Sequence, residues 1–423
     1  MKENLLHFIW KLKLFSSNKL ITTTGNNVQI ISVGTHNYNS GPDFLNAKII
    51  INEQLWVGNV EIHVLSSDWY AHSHEKDTNY NAVILHVVWE HDIDVFRGTN
   101  ESIETLVLKD FMDEKVLVNY KELFNLDKKW INCENEIEFV DNFTKNNWLE
   151  RLYFERLEEK SELINTIFKS TNSNWEATLF ILLAKNFGLK VNGESFLQFA
   201  TSFDFSIVRK IGDNPFQMEA LFFGRAGLLS DEKESIYYSK LKQEYEYLSH
   251  KFKLDKVNNT SIQFFRLRPA NFPTIRLSQL AILFSKQQNL FSKIIETTVL
   301  EDFYTLFSLK ITEFWETHYT FETSSKKSTK KLTKSFIHLV LINTIVPLKF
   351  TYLKTIGKLE FNELLNFICE IKPEKNTIIS NFETLKFKGN NAFETQALLQ
   401  LKNNYCNKKL CLQCAIGKEI LKR

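Results

Sequence analysis

Six of the ten histidines fall between residues 36 and 91: His36, His63, His72, His74, His86 and His91. Imidazole is both a metal ligand and a proton carrier near neutral pH, so this stretch is where chemistry would be sought first. Within it, "GPDFLNAKIIINEQLWVGNVEIHV" sets Asp43 straight after Pro42 and Glu61 two positions before His63. If residues 55–65 form a strand, the two-residue period places Asn59, Glu61 and His63 on one face and Val60, Ile62 and Val64 on the other. Asp43 enters the neighbouring strand, so its carboxylate can approach that polar face. Two close carboxylates repel unless a cation lies between them. A hard divalent ion such as Mg²⁺ or Mn²⁺ would serve, polarising a phosphoryl oxygen and lowering the pKa of a bound water. His63 could then orient or deprotonate that water. Asp43, Glu61 and His63 are therefore the candidate catalytic residues, with Asp43 and Glu61 as metal ligands.

Two other readings compete for the same residues. Glu61 and His63 could be the solvated face of a half-exposed sheet, where alternating polar residues are expected. Alternatively, His72, His74 and Asp77 could ligate Zn²⁺ or Mn²⁺. On a helix the His-x-His pair would diverge by about 200°, so both can share one ion only if the chain there is extended or turned. His86, inside an apolar run, reads as a core histidine.

The elements that would position these groups follow from periodicity. Residues 4–15 carry Leu5, Phe8, Ile9, Leu12 and Phe15 at near-helical spacing, which predicts an amphipathic helix. "VQIISV" (28–33), "FLNAKIII" (44–51) and "LWVGNVEIHVL" (55–65) predict strands, the last two joined as a hairpin through "NEQ". "SSDWYAHSHE" predicts a short helix behind Ser and Asp caps, and "NAVILHVVW" (81–89) a strand buried on both faces. Beyond about residue 112 helical periodicity dominates, broken by short β-like pieces such as "SIQFFRL". The expectation is an α+β chain: an α/β domain over 1–112, a mainly α-helical domain over 113–400, and a cysteine-containing segment over 401–423.

Composition bounds the rest. At 423 residues, with 43% hydrophobic and 24% charged side chains, the chain has the make-up of a folded globular protein. A net charge of +2 gives no global argument for a nucleic-acid or membrane partner, so any basic footprint must be local. The N-terminus lacks a secretory pattern and the apolar run "FIHLVLINTIVPL" is short and interrupted by His338, Asn343 and Pro347. A cytoplasmic protein with a buried helix there, and no membrane association, is expected. Phosphate-loop, dinucleotide and serine-elbow motifs are missing, which disfavours P-loop hydrolysis and hydride transfer.

Three local clusters remain. "CNKKLCLQC" spaces Cys406, Cys411 and Cys414 as C-x4-C-x2-C, three thiols that can curl to one point, with Cys133 or Cys369 as the fourth ligand of a zinc or iron–sulfur site. The alternative is reduced thiols partly buried on a terminal helix. In "FFRLRPANFPTIRLSQLA", Arg266, Arg268 and Arg276 surround a proline-stiffened loop before a helix starting near Thr274. They could receive an anion or pin the loop by ion pairs. "SSKKSTKKLTK" (324–334) reads as a solvated loop leading into a helix, with a phosphate-contacting patch as the alternative.

The order helix, three strands, helix, strand, with Pro42-Asp43 opening the second strand and Glu61-Ile62-His63 in the third, resembles the PD-(D/E)XK nuclease superfamily over about the first 95 residues. The resemblance implies that Asp43 and Glu61 bind Mg²⁺ and that the protein cleaves phosphodiesters of DNA or RNA, while the helical domain presents substrate or a protein partner. His63 stands where that superfamily usually has Lys. Some iron–sulfur nucleases of the superfamily use one distant and three C-terminal cysteines, which Cys133, Cys406, Cys411 and Cys414 match. The rival is a non-catalytic scaffold with a degenerate nuclease-like fold. The whole chain also looks like an uncharacterised bacterial family known only as a domain of unknown function, through "HFIWKLKLF", "GPDFLNAKI", "GNVEIHVLSSDWYAHSHEKDTNYNAVILHVVW", "RLRPANFPTIRLSQLA" and "CLQCAIG". That likeness implies no activity.

Overall fold

The computed structural model describes residues 2–125, 129–256 and 262–423. It is an α+β protein of two compact units: residues 1–148 with 385–387 and 401–423, and residues 149–384 with 388–400. The division lies further along the chain than residue 112. The cysteine-containing tail belongs to the first unit, because its helix Ala415–Lys422 buries Ile416, Ile420 and Leu421 there.

In the first unit, α1 (Glu3–Leu12) turns Leu5, Leu6, Phe8, Ile9 and Trp10 inward. Each such side chain, fully buried, contributes about 1.5–3 kcal/mol. Left-handed Lys13 closes the helix, its N–H bonding back to Ile9 and Trp10. The strands are β1 (Leu20–Ile21), β2 (Asn27–Ser32), β3 (Thr35–His36), β4 (Phe44–Ile51), β5 (Gln54–Leu65), β6 (Val83–Glu90) and β7 (Thr105–Val107). They form one sheet in the order β1-β2-β4-β5-β6-β7, with β3 also paired to β4. β1 to β5 pair antiparallel, whereas β5–β6 and β6–β7 are parallel. Between β5 and β6 the chain passes through α2 (Asp68–Ala71) and two 3₁₀ turns, the crossover that a parallel pair requires.

Two local devices set the register. Asn52 and Glu53 both have positive φ, 47° and 69°, so the hairpin turns in two residues with the hand that matches strand twist. Near its other end the pairing slips: Phe44 opposes Val60 and Ala47 opposes Gly58, leaving Leu45 and Asn46 across from Asn59. This is a β-bulge, with Asn46 at φ 58° and its N–H donating to Asn59 Oδ1 at 3.2 Å. Bulges re-aim the strand that carries them, and this one lies three residues from Asp43.

The second unit is helical. Long runs of helical periodicity are broken: one divides into Pro273–Lys286 and Leu290–Glu296 around left-handed Asn289, another into Leu300–Leu306 and Glu313–Thr317. "SIQFFRL" makes no strand in its described residues 262–267. The run around Pro347 lies in a continuous helix over Lys334–Thr355, 22 residues long and apolar enough to cross a bilayer, although 72% of its apolar window is buried inside the protein. Pro347 cannot donate a backbone hydrogen bond. The helix widens to π geometry over Leu341–Ile345 immediately before it, an accommodation that absorbs such a gap.

A candidate metal centre of histidines and carboxylates

The bulge and hairpin bring Asp43 and Glu61 together. The Asp43 N–H donates to Glu61 Oε2 at 3.0 Å, and the Ile62 N–H donates to Asp43 Oδ2 at 3.0 Å. Each carboxylate is thus held by the other's strand. Glu61 and His63 are only 4% and 1% exposed, which overturns the solvated-face reading: β5 is covered on both sides over Val60–His63.

The crossover supplies two more imidazoles. His72 ends α2, Ser73 turns left-handed at φ 60°, and His74 opens a 3₁₀ turn. That reversal removes the divergence a helix would impose. Ligand atoms of His63, His72 and His74 lie within 4.8 Å of one another, and Glu61 Oε1 is 3.2 Å from His74 Nε2 and 3.5 Å from His63 Nε2. His74 is held flat against Tyr80, ring centroids 3.8 Å apart, and edge-on to Trp69 at 5.4 Å. Trp69 and Tyr80 belong to a buried cluster with Val83, Val95 and Ile103.

A chain of rings runs inward from the exposed His72. Its Nδ1 is 3.1 Å from His63 Nε2, and His63 Nδ1 is 2.9 Å from His86 Nε2. His86 pairs with Glu61 across β5 and β6. It is fully buried, and its Nδ1 has no hydrogen-bond partner. It is therefore a core histidine, as expected, but an incompletely satisfied one.

A second grouping lies beside the first. Ligand atoms of Glu3, His7 and Asp43 also fall within 4.8 Å of one another. His7 Nε2 is 3.1 Å from Asp43 Oδ2 and 3.8 Å from Glu3 Oε1, without hydrogen-bonding geometry to either. Glu3 and His7 came unflagged by sequence reasoning. Their four-residue spacing puts both on one face of α1, but nothing along the chain turns that face toward Asp43.

Electrostatics divides these groups. Burial lifts Glu61 to about 7, the nearby Asp43 charge adding to it while His74 and the Asp43 N–H oppose. Burial, with His74, His72 and His7, drives His63 down to about 3, and burial with neighbouring imidazoles pushes His86 well below its ordinary value. Burial also works against charge on His7, but Asp43, Glu3 and Glu61 outweigh it and raise its pKa. Neutral His63 is a lone-pair donor, while the carboxylates around His7 favour its protonated form.

Other expected site residues lie apart from this centre. Asp77 caps the next 3₁₀ turn, accepting from the Asn79 N–H at 2.9 Å, and joins neither grouping. In the helical unit the three arginines do not converge as an anion receptor. Arg276 is buried, stacked 3.6 Å above Phe336 and bonded to Asn271 and Gln279, and burial lowers it to about 10. Arg266 and Arg268 are exposed. Arg276 pins the loop through neutral amides and an aromatic face, not through ion pairs. The lysine-rich stretch is largely an exposed loop up to Thr333, and its Lys327 and Lys334 sit near Glu316 and Glu301. Cys133, Cys406, Cys411 and Cys414 line one cavity within the first unit, whereas Cys369 lies on helix Phe361–Glu370 in the second.

The chain belongs to the family described as Protein of unknown function (DUF2851), whose model matches residues 3–377. No curated protein and no solved structure matches it.

Proposed function

We propose that the first unit is a divalent-metal-dependent hydrolase of phosphodiesters, acting on DNA or RNA. The observation that carries this reading is the convergence of His63, His72 and His74 within 4.8 Å, with the Glu61 carboxylate alongside. Three imidazoles and one carboxylate suit Zn²⁺ or Mn²⁺ better than Mg²⁺, which prefers an all-oxygen shell. The set fits an ion for a second reason. If His63 donates from Nδ1 to His86, its Nε2 is left with a lone pair facing His72 and Glu61, and this outer bond fixes ring and tautomer as metal-binding histidines require. A divalent ion held there supplies Lewis acidity toward a phosphoryl oxygen and a bound water of lowered pKa.

The remaining groups have separate roles in this reading. Asp43 orients His7, and His7, favouring its proton, supplies the positive charge or proton that the Lys-to-His change at residue 63 would otherwise remove. At the rim, Tyr38 is 77% exposed, its ring centroid 4.4 Å from that of His36, and Lys11 Nζ is 3.2 Å from its hydroxyl. An exposed aromatic beside a cation is a stacking platform for a nucleobase. The helical unit would present substrate or a protein partner.

One observation favours the rival, a non-catalytic scaffold: both carboxylates already accept backbone hydrogen bonds, so the cluster can serve as a structural clasp. Hydrolysis of a generic phosphodiester and of single- and double-stranded DNA and RNA, with Mn²⁺, Zn²⁺ or Mg²⁺, separates the two. Turnover with Mn²⁺ or Zn²⁺ that is lost in His74→Ala supports the hydrolase. Absence of cleavage across the panel removes it.

A further inference from the structure

The second chemically loaded place in the molecule is built from sulfur and lies in the first unit. Cys133, from the segment before the 3₁₀ turn Ile137–Phe139, meets Cys406, Cys411 and Cys414 from the tail around a cavity closed by Asn132, Ile137, Leu401, Tyr405, Ile416 and Gly417. Cys133 and the tail cysteines come from distant parts of the chain, so their meeting is not a consequence of local spacing. No disulfide joins them.

The backbone around the cavity is shaped for the sulfurs. Cys406 ends a π-helical stretch, Leu401–Cys406, a geometry that recurs at functional sites. Gly417 approaches so closely that a Cβ there would stand 2.2 Å from the Cys411 carbonyl oxygen. Cys414 occupies the N-cap of helix Ala415–Lys422, and the Ile416 and Gly417 N–H groups donate to its sulfur. Asn132 donates to Cys411. Burial raises the pKa of all four thiols, to about 11 at Cys411 and about 12 at Cys406, and the hydrogen bonds to Cys411 and Cys414 oppose that rise; it is bonding to a metal that would draw off their protons.

We infer that Cys133, Cys406, Cys411 and Cys414 ligate an iron–sulfur cluster that fastens the C-terminal segment into the first unit. Four cysteines are the ligand set of such clusters. A single zinc ion would draw four sulfurs to roughly 3.8 Å of one another, given bonds of about 2.3 Å in a tetrahedron. Among the described residues the groups gathered in threes within 4.8 Å are His63, His72 and His74, and Glu3, His7 and Asp43, while the four sulfurs stand around a cavity instead. That wider spread suits a polynuclear centre. On assembly the four thiol protons are released and the thiolates bond to iron, the inorganic sulfide coming with the cluster. The neighbouring contacts are weaker staples of the same segment: Lys402 Nζ to the Trp130 carbonyl at 2.7 Å and the Asp141 N–H to Glu419 at 3.0 Å.

The test is elemental and spectroscopic analysis of the full chain purified without oxygen. Expected are iron and acid-labile sulfide in equal amounts, about two to four of each per chain, with visible charge-transfer absorption. Cys411→Ser and Cys133→Ser lose them, and Cys369→Ser keeps them. Should the serine variants fail to fold, the wild-type content decides alone, checked by reconstitution with ferrous iron and sulfide. Stoichiometric zinc without iron overturns the cluster, as does metal-free protein that takes up neither ion on reconstitution.

Discussion

Asp43 and Glu61 hold each other through the backbone: the Asp43 N–H bonds to the Glu61 carboxylate, and the residue after Glu61 bonds to the Asp43 carboxylate, both at 3.0 Å. Glu61 keeps Oε1 outside this reciprocal pair, 3.2 Å from His74, whereas Asp43 meets His7 through the same Oδ2 that accepts from Ile62. The pair therefore links two groupings of side chains that could hold an ion, His63, His72 and His74 on one side and Glu3 and His7 on the other, rather than forming one two-acid pocket. The acids are neighbours, as the hairpin predicts, but imidazole provides most of the donors.

His86 is expected to act through His63. His86→Phe keeps an aromatic ring in the same apolar strand but removes the ring nitrogen 2.9 Å from His63 Nδ1. Metal affinity, measured by isothermal titration with Mn²⁺, should fall about 10–100-fold while the far-UV circular dichroism stays unchanged. Equal affinity in the variant would remove His86 from the site.

Tyr38 should matter for substrate and not for the ion. Tyr38→Ala is expected to weaken binding of a single-stranded oligonucleotide by about 1–3 kcal/mol, the usual worth of one base stack, with Mn²⁺ affinity unchanged. Fluorescence anisotropy measures the first and titration the second. A variant that binds nucleic acid as tightly as the wild type contradicts the platform.

In the helical unit Glu219 is fully buried, accepting from Tyr237, Ser278 and Thr312. Burial raises its pKa above the ordinary 4.5 although these hydroxyls oppose the rise. The folded state thus binds the proton more tightly than the unfolded state. Its contribution is fully present below about 4.5 and is lost as pH rises through the folded value, at about 1.4 kcal/mol for each pH unit separating the unfolded and folded pKa. Glu219→Gln should flatten that slope in urea denaturation run from acid to alkaline pH. A wild-type slope retained in the variant would place the titration elsewhere.

Much of the frame was legible because its signals are local. β4 begins and ends where alternation and the Asn52-Glu53 turn require, and Val83–Glu90 reads as a strand from its unbroken apolar run. What escaped is non-local. That His72 and His74 converge depends on the left-handed turn at Ser73, which a Ser between two histidines does not announce. Glu3 and His7 join Asp43 only once α1 packs on β5, and no spacing along the chain encodes that contact. The tail's membership of the first unit likewise follows from packing of Ile416 and Ile420. Long apolar periodicity, finally, runs through left-handed Asn289 without showing the break.

The most direct test of the histidine–carboxylate centre is metal binding by the full chain, with Cys411→Ser used in parallel to separate the sulfur site. Titration of metal-stripped protein with Mn²⁺ or Zn²⁺ should show a saturable site that survives Cys411→Ser. Glu61→Gln or His74→Ala should lose it by more than the roughly 10–100-fold that an outer ligand costs. Protein that binds neither ion, or binds them unchanged in both variants, would contradict a metal centre at His63, His72, His74 and Glu61.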